Sequence, residues 1–143
     1  VNALSNLAAN EFEFDGIKCA SMEGLLQSFK FADRGKQLVF CSMDGLDAKM
    51  LGRSGNGWKK TQLLHWNGKP YDRHGEDYQK LLDRAYGALS ENMQFQRALL
   101  LTGGKTLTHR LGGDDASKTI LTSDEFVSRL MKYRLVLQHR RTT

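Results

Sequence analysis

Cysteine is scarce in this chain: only Cys19 and Cys41 occur among 143 residues, neither in a CxxC pair nor in a Cys/His cluster. That excludes the usual zinc-ligand spacing. It predicts two small buried hydrophobes in a reducing compartment, with a disulfide between them as the less favoured alternative. Long apolar runs are missing as well. No window approaches the ~18 consecutive apolar residues of a membrane helix, so no membrane span is expected. The opening Val1-Asn2-Ala3-Leu4 has neither the basic nor the apolar stretch of a secretory signal, and a cytoplasmic setting is expected. His65, His74, His109 and His139 fall at no HxxxH or HExxH spacing, so neither a metal nor a cofactor is assigned. A Walker loop and the GxSxG setting of a hydrolase serine are both absent, and no internal repeat is present.

With 40% hydrophobic and 26% charged residues, the chain can fill a core and keep a polar surface. The expectation is one folded domain over residues 1–143, with a frayed basic tail at 139–143. A net charge of +5 and a pI near 9.3 favour an anionic partner, either a phosphate-bearing ligand or a nucleic acid.

Local signals divide the chain. Period-two alternation around Asp15-Gly16 predicts a short hairpin over Phe12–Ile17. Ser21 is placed to cap a helix over Met22–Phe31, with Met22, Leu25, Leu26 and Phe29 at i, i+3, i+4 and i+7. Further helices are predicted over Gly35–Ser42, with Leu38, Val39 and Cys41 as its apolar residues, and over Asp44–Leu51, stopped by Gly52. Arg53 to Gly57 reads as a loop, and Trp66-Asn67-Gly68-Lys69, followed by the single proline Pro70, as a surface hairpin or excursion. Glu76–Glu91 and Phe95–Leu101 read as helices, Thr106–Leu111 as extended, and 112–115 as a loop. A capping box, Thr122 to Glu125, opens a last helix to Gln138 with Phe126, Leu130, Met131, Leu135 and Val136 as its buried stripe. The fold class is mainly α with minor β, an α+β helical bundle with short peripheral hairpins.

Opposite the apolar stripe of the first long helix stand Glu23, Gln27 and Lys30, at i, i+4 and i+7 on one face. A carboxylate and an amine held on one rigid face suit acid/base and nucleophilic roles. A solvated amphipathic face with a weak charge pair is the competing reading. The glycine-rich stretch Gly52 to Lys60 carries Arg53, Lys59 and Lys60 for phosphate and Trp58 for a ring, or is simply a basic connector. Asp114, in the 112–115 loop, can approach a sugar hydroxyl or merely end a strand.

Taken in order, these segments resemble the NADAR family. Leu4-Ser5-Asn6-Leu7 is similar to its Ser-Asn-Phe entry, and Phe14-Asp15-Gly16 to the turn that follows. Ser21-Met22-Glu23 with Gln27 and Lys30-Phe31 resembles its Ser-x-Glu…Gln-x-x-Lys-Phe helix, and Ala48-Lys49 with Gly52-Arg53 resembles its Ala-Lys-x-x-Gly-Arg stretch. Trp58 stands at a recurrent tryptophan. Leu99 to Gly103, Leu107 and Asp114 follow its next motif, and Leu130-Met131 with Arg134 its closing one. The resemblance implies a mainly α domain that cleaves N-glycosidic bonds in ADP-ribosylated guanine, free or in DNA, or in related NAD-derived nucleotides. Carried over, the catalytic residues would be Glu23 as the acid/base group, Lys30 as the amine that attacks the anomeric carbon, and Asp114, which would grip the ribose or assist proton transfer. Ser5, Asn6, Gln27, Lys49, Arg53 and Trp58 would bind substrate. Departures are Gly24 in place of a histidine, His109 in place of a glutamate, and Ser117-Lys118-Thr119 in place of a Trp-Gly. The resembled family also includes enzymes that split an early riboflavin-pathway intermediate; the segment Trp66–Arg73 is absent from that pattern, which turns the expectation toward a phosphate-bearing ADP-ribose derivative. A non-catalytic module that sequesters such nucleotides is the alternative, and a nucleic-acid-binding domain is a third.

Overall fold

The computed structural model describes residues 2–108 and 113–142. Among these, seven helices and two antiparallel hairpins follow in the order β1 (Phe12–Phe14), β2 (Ile17–Cys19), α1 (Met22–Ser28), α2 (Arg34–Ser42), α3 (Gly45–Gly52), α4 (Trp58–Thr61), β3 (Leu63–Trp66), β4 (Lys69–Asp72), α5 (Glu76–Leu89), α6 (Met93–Leu101) and α7 (Ser123–Thr142). The fold is α+β, as expected. None of these helices is long and apolar enough to cross a membrane.

The local signals act as written. Asp15-Gly16 and Asn67-Gly68 have φ of 49°, 79°, 53° and 82°, the paired positive values of a tight hairpin turn. They set the registers Phe12↔Cys19 and Leu63↔Asp72. Ser21, Asp33, Asp44 and Asn92 each accept an amide hydrogen bond from the first turn of their helix. At α7 the capping box is reciprocal: the Glu125 amide donates to Thr122 Oγ1 at 3.1 Å, and the Thr122 amide donates to Glu125 Oε1 at 2.8 Å.

The core is built around α1 and α5. Met22, Leu25, Leu26 and Phe29 of α1, and Tyr78, Leu81, Leu82, Ala85, Tyr86 and Leu89 of α5, are all buried. Phe29 is wedged edge-on between Trp66, at 5.7 Å, and Tyr78, at 6.2 Å. Cys19 and Cys41 are free and buried.

Several expectations need correction. The second hairpin is no surface excursion, because Leu64 and Trp66 are buried in the core. The Trp66 indole N–H donates to Asp15 Oδ2 at 2.8 Å, joining the two hairpins. On α2 the buried residues are Gln37, Phe40 and Cys41, while Leu38 and Val39 face outward. On α7 the buried line runs Phe126, Leu130, Arg134, Leu137, whereas Met131 and Leu135 are exposed. That helix continues to Thr142, with Arg140 paired to Glu91 at 3.3 Å. No strand forms over 106–108, and the rest of the extended segment expected there, His109 included, lies outside the described residues. Helix α1 stops at Ser28 and so ends before Lys30.

One departure from the resembled pattern has a steric cause. A Cβ at Gly24 would sit 2.5 Å from the Phe40 carbonyl oxygen, so α1 and α2 approach too closely for a histidine there.

Candidate active site

Helix α1 turns its second face onto a cleft. A small basin of about 260 Å³ is lined by Glu23, Gln27, Lys30, Trp58 and the segment Lys118–Thr122, among others. It adjoins a larger basin of about 850 Å³, walled by Leu4, Leu7, Leu101, Leu107 and Leu130. Asn6, Glu23, Lys49 and Phe126 line both. The face holding Glu23, Gln27 and Lys30 is therefore directed into a cavity and is not a solvated helix face.

The three side chains are fastened differently. Gln27 Nε2 donates to Glu23 Oε2 at 2.7 Å, fixing the carboxylate one turn away. The Lys30 Nζ donates to the Gly52 carbonyl at 3.0 Å, tying the amine to the end of α3. Burial pushes the Lys30 pKa below the ordinary 10.5; the Glu23 charge works against that shift and the Lys59 charge adds to it. Beneath Glu23, its backbone amide donates to the Asn6 carbonyl at 2.9 Å, and the Tyr86 hydroxyl donates to Asn6 Oδ1 at 2.8 Å. Burial, opposed by that bond and reinforced by Glu23, drives the Tyr86 pKa well above 10.0, so it is a neutral donor.

Two buried polar atoms in the wall have no partner among the described residues: the Trp58 indole N–H and Gln27 Oε1. An unmet buried group of this kind costs about 1–3 kcal/mol, so both atoms are open to a partner that enters the cleft. Gln27 Oε1 lies against Gly52, where an added Cβ would overlap it. We therefore expect Gly52→Ala to displace the amide that holds Glu23. Turnover should fall about 100-fold, as for a misplaced catalytic group, while thermal unfolding shows the chain still folded. A Gly52→Ala protein with unchanged kcat/KM would remove Gln27 from any positioning role.

Charge around the small basin is lopsided. Lys30, Lys49, Lys59 and Lys118 line it with Glu23 as the single carboxylate among the described lining residues. Lys49, Lys59 and Lys118 are exposed at its rim, a field suited to phosphate.

Of the residues singled out in the sequence, Asn6, Glu23, Gln27, Lys30, Lys49 and Trp58 converge here. Ser5 lines the larger basin, where its Oγ accepts the Leu7 amide at 3.1 Å and shapes the entry turn. Arg53 and Asp114 are exposed and line neither basin among the described residues. Trp58 is 3% exposed and forms part of the wall, not an open stacking plate. Sequence reasoning missed the 118–122 wall, Lys118 and Phe126. The wall is hung from elsewhere: Arg73 Nε donates to the Thr119 carbonyl at 2.8 Å, Tyr78 to Ile120 O at 2.5 Å, and Gln62 Nε2 to Ser117 O at 2.9 Å. Its one visible signal was the substitution of Ser117-Lys118-Thr119 for the family's Trp-Gly. No group of three His, Cys, Asp or Glu side chains suited to a metal occurs among the described residues.

A helical frame with two hairpins, opening on a lysine-rimmed cleft, defines a NADAR-like α+β fold. The solution structure of the Escherichia coli protein YbiA shares this fold, with a TM-score of 0.64 at 19% identity, over 98% of this chain and 80% of that one. The chain belongs to the family described as Bacteriophage protein GP30.3, which matches residues 1–135. It is 35% identical over 127 residues to the uncharacterized 17.1 kDa protein of the Gp30–rIII intergenic region of Enterobacteria phage T4, covering 87% of this chain and 84% of that one.

Proposed function

We propose that the cleft hydrolyses the N-glycosidic bond of an ADP-ribosylated base or a related NAD-derived nucleotide. The observation that carries this reading is a lysine of lowered pKa beside a carboxylate, both in a cavity rimmed by three further lysines. The neutral Lys30 amine forms a bond to the anomeric carbon as the carbon–nitrogen bond to the base breaks. The base leaves with the electron pair and takes a proton from Glu23. A proton on the new ammonium passes to the ring oxygen as the sugar opens to a Schiff base. Water hydrolyses that species, restoring the amine and returning a proton to Glu23. Lys49, Lys59 and Lys118 hold the phosphates, and Tyr86 through Asn6 keeps the floor beneath Glu23 in place.

The test is release of base from an ADP-ribosylated guanine oligonucleotide, repeated with borohydride present. Trapping should leave a sugar adduct on Lys30 by peptide mass spectrometry. ADP-ribose that binds tightly in calorimetry without base release would instead identify a sequestering module. DNA binding that is steeply salt-dependent and indifferent to changes at Glu23 and Lys30 would identify a nucleic-acid-binding domain.

A further inference from the structure

The two basins differ in character, and Glu23 lies on their border. Lys30, Lys59 and Lys118 line only the small basin, whereas Leu4, Leu7, Leu101, Leu107 and Leu130 line only the large one. A displacement at an anomeric carbon needs nucleophile and leaving group on opposite sides of that carbon. If the sugar lies in the small basin against Lys30, its departing group points across Glu23 into the apolar basin. Resting on the glycosidase reading, we infer that the large basin is the seat of the departing base and takes a flat, uncharged heterocycle, while the small basin takes the sugar phosphate. The aliphatic walls bury the ring faces, and Asn2, Ser5 and Thr108 stand on the same lining where ring nitrogens and exocyclic groups need partners. Lys49 is the only lysine or arginine on that lining among the described residues. Phe126, shared by both basins, marks the wall between sugar and ring.

Fragment binding tests this without turnover. Adenine and ribose 5-phosphate are titrated into the protein singly and together, with affinities read by calorimetry and sites by amide chemical shifts. Both should bind at once, adenine shifting residues 4–7 and ribose 5-phosphate shifting residues 118–122. Leu4→Asp, which puts a charge into the apolar wall, should weaken adenine by about tenfold or more and leave ribose 5-phosphate within about twofold. Lys118→Ala should do the reverse. Should Leu4→Asp not fold, Leu101→Asp carries the same test from a side chain that is 84% exposed. Competition between the fragments, no measurable adenine binding, or adenine affinity untouched by the aspartate would overturn the assignment. Correct partition without hydrolysis of any glycoside would sink the catalytic reading and leave the basins assigned; hydrolysis with competing fragments would do the opposite.

Discussion

Lys30→Met should lower base release by on the order of 10³-fold or more, the loss expected when a nucleophile is removed and binding groups remain. Stability should hold or rise, because the half-buried ammonium is replaced by an apolar chain of similar length and its desolvation cost disappears. Single-turnover base release and a thermal melt measure both, and Lys30→Met within about tenfold of the parent rate would remove Lys30 as nucleophile. The pH profile carries a second readout. Attack needs the neutral Lys30 amine while Glu23 still holds a proton, so the pair works with one shared proton and the rate should fall with pH along a limb whose midpoint lies below the ordinary lysine value of 10.5. Burial is the largest cause of that lowering and the Lys59 charge a lesser one, so Lys59→Ala should move the limb to higher pH. A limb that stays put in Lys59→Ala would mean that another group titrates there.

Arg73→Ala should be strongly destabilising. Arg73 is 1% exposed and grips Glu125 with two bonds, Nη1 to Oε2 at 2.9 Å and Nη2 to Oε1 at 2.7 Å, while its guanidinium lies 5.0 Å over the Tyr78 ring. Removing one partner strands a carboxylate in the interior, which costs roughly 3–5 kcal/mol. The damage reaches the site, because Arg73 also holds the Thr119 carbonyl of the cleft wall. Urea unfolding measures the loss; a change under about 1 kcal/mol would show that the pair is not a structural clamp. Acid titration gives the sign. Burial works against ionisation of Glu125, but the bonds from Arg73, the Thr122 amide and Gln79 outweigh it and hold its pKa below 4.5. The native state therefore binds that proton less readily than the unfolded chain. The stabilisation is present above about pH 4.5 and is lost as pH falls through the lowered value. Arg73→Ala should flatten that acid limb.

Much of the site was legible because its parts are local. Glu23 and Gln27 share a face by helical period, Lys30 follows in the turn that closes the helix, and Ser21 sets where that helix begins. The basic stretch after Gly52 pointed to Trp58 and Lys59, and the resemblance added Asn6 and Lys49. A motif gives order along the chain and not where a loop stands, so it did not show that Arg53 and Asp114 line neither basin among the described residues. The 118–122 wall was missed because its supports, Arg73, Tyr78 and Gln62, are distant in sequence.

The amino-acid order alone determined the elements whose causes lie within a few residues: two Asx-Gly turns, the helix caps, and the stripes of α1 and α5. Tertiary structure alone decided which faces are inside where apolar spacing is weak. On α7, Arg134 is buried and Leu135 exposed. Arg134 finds Thr102 Oγ1 at 2.9 Å and the Lys105 carbonyl at 2.8 Å, partners more than 25 residues away. A buried cation is tolerated only where such acceptors already stand, and no count of apolar positions along one helix contains that information.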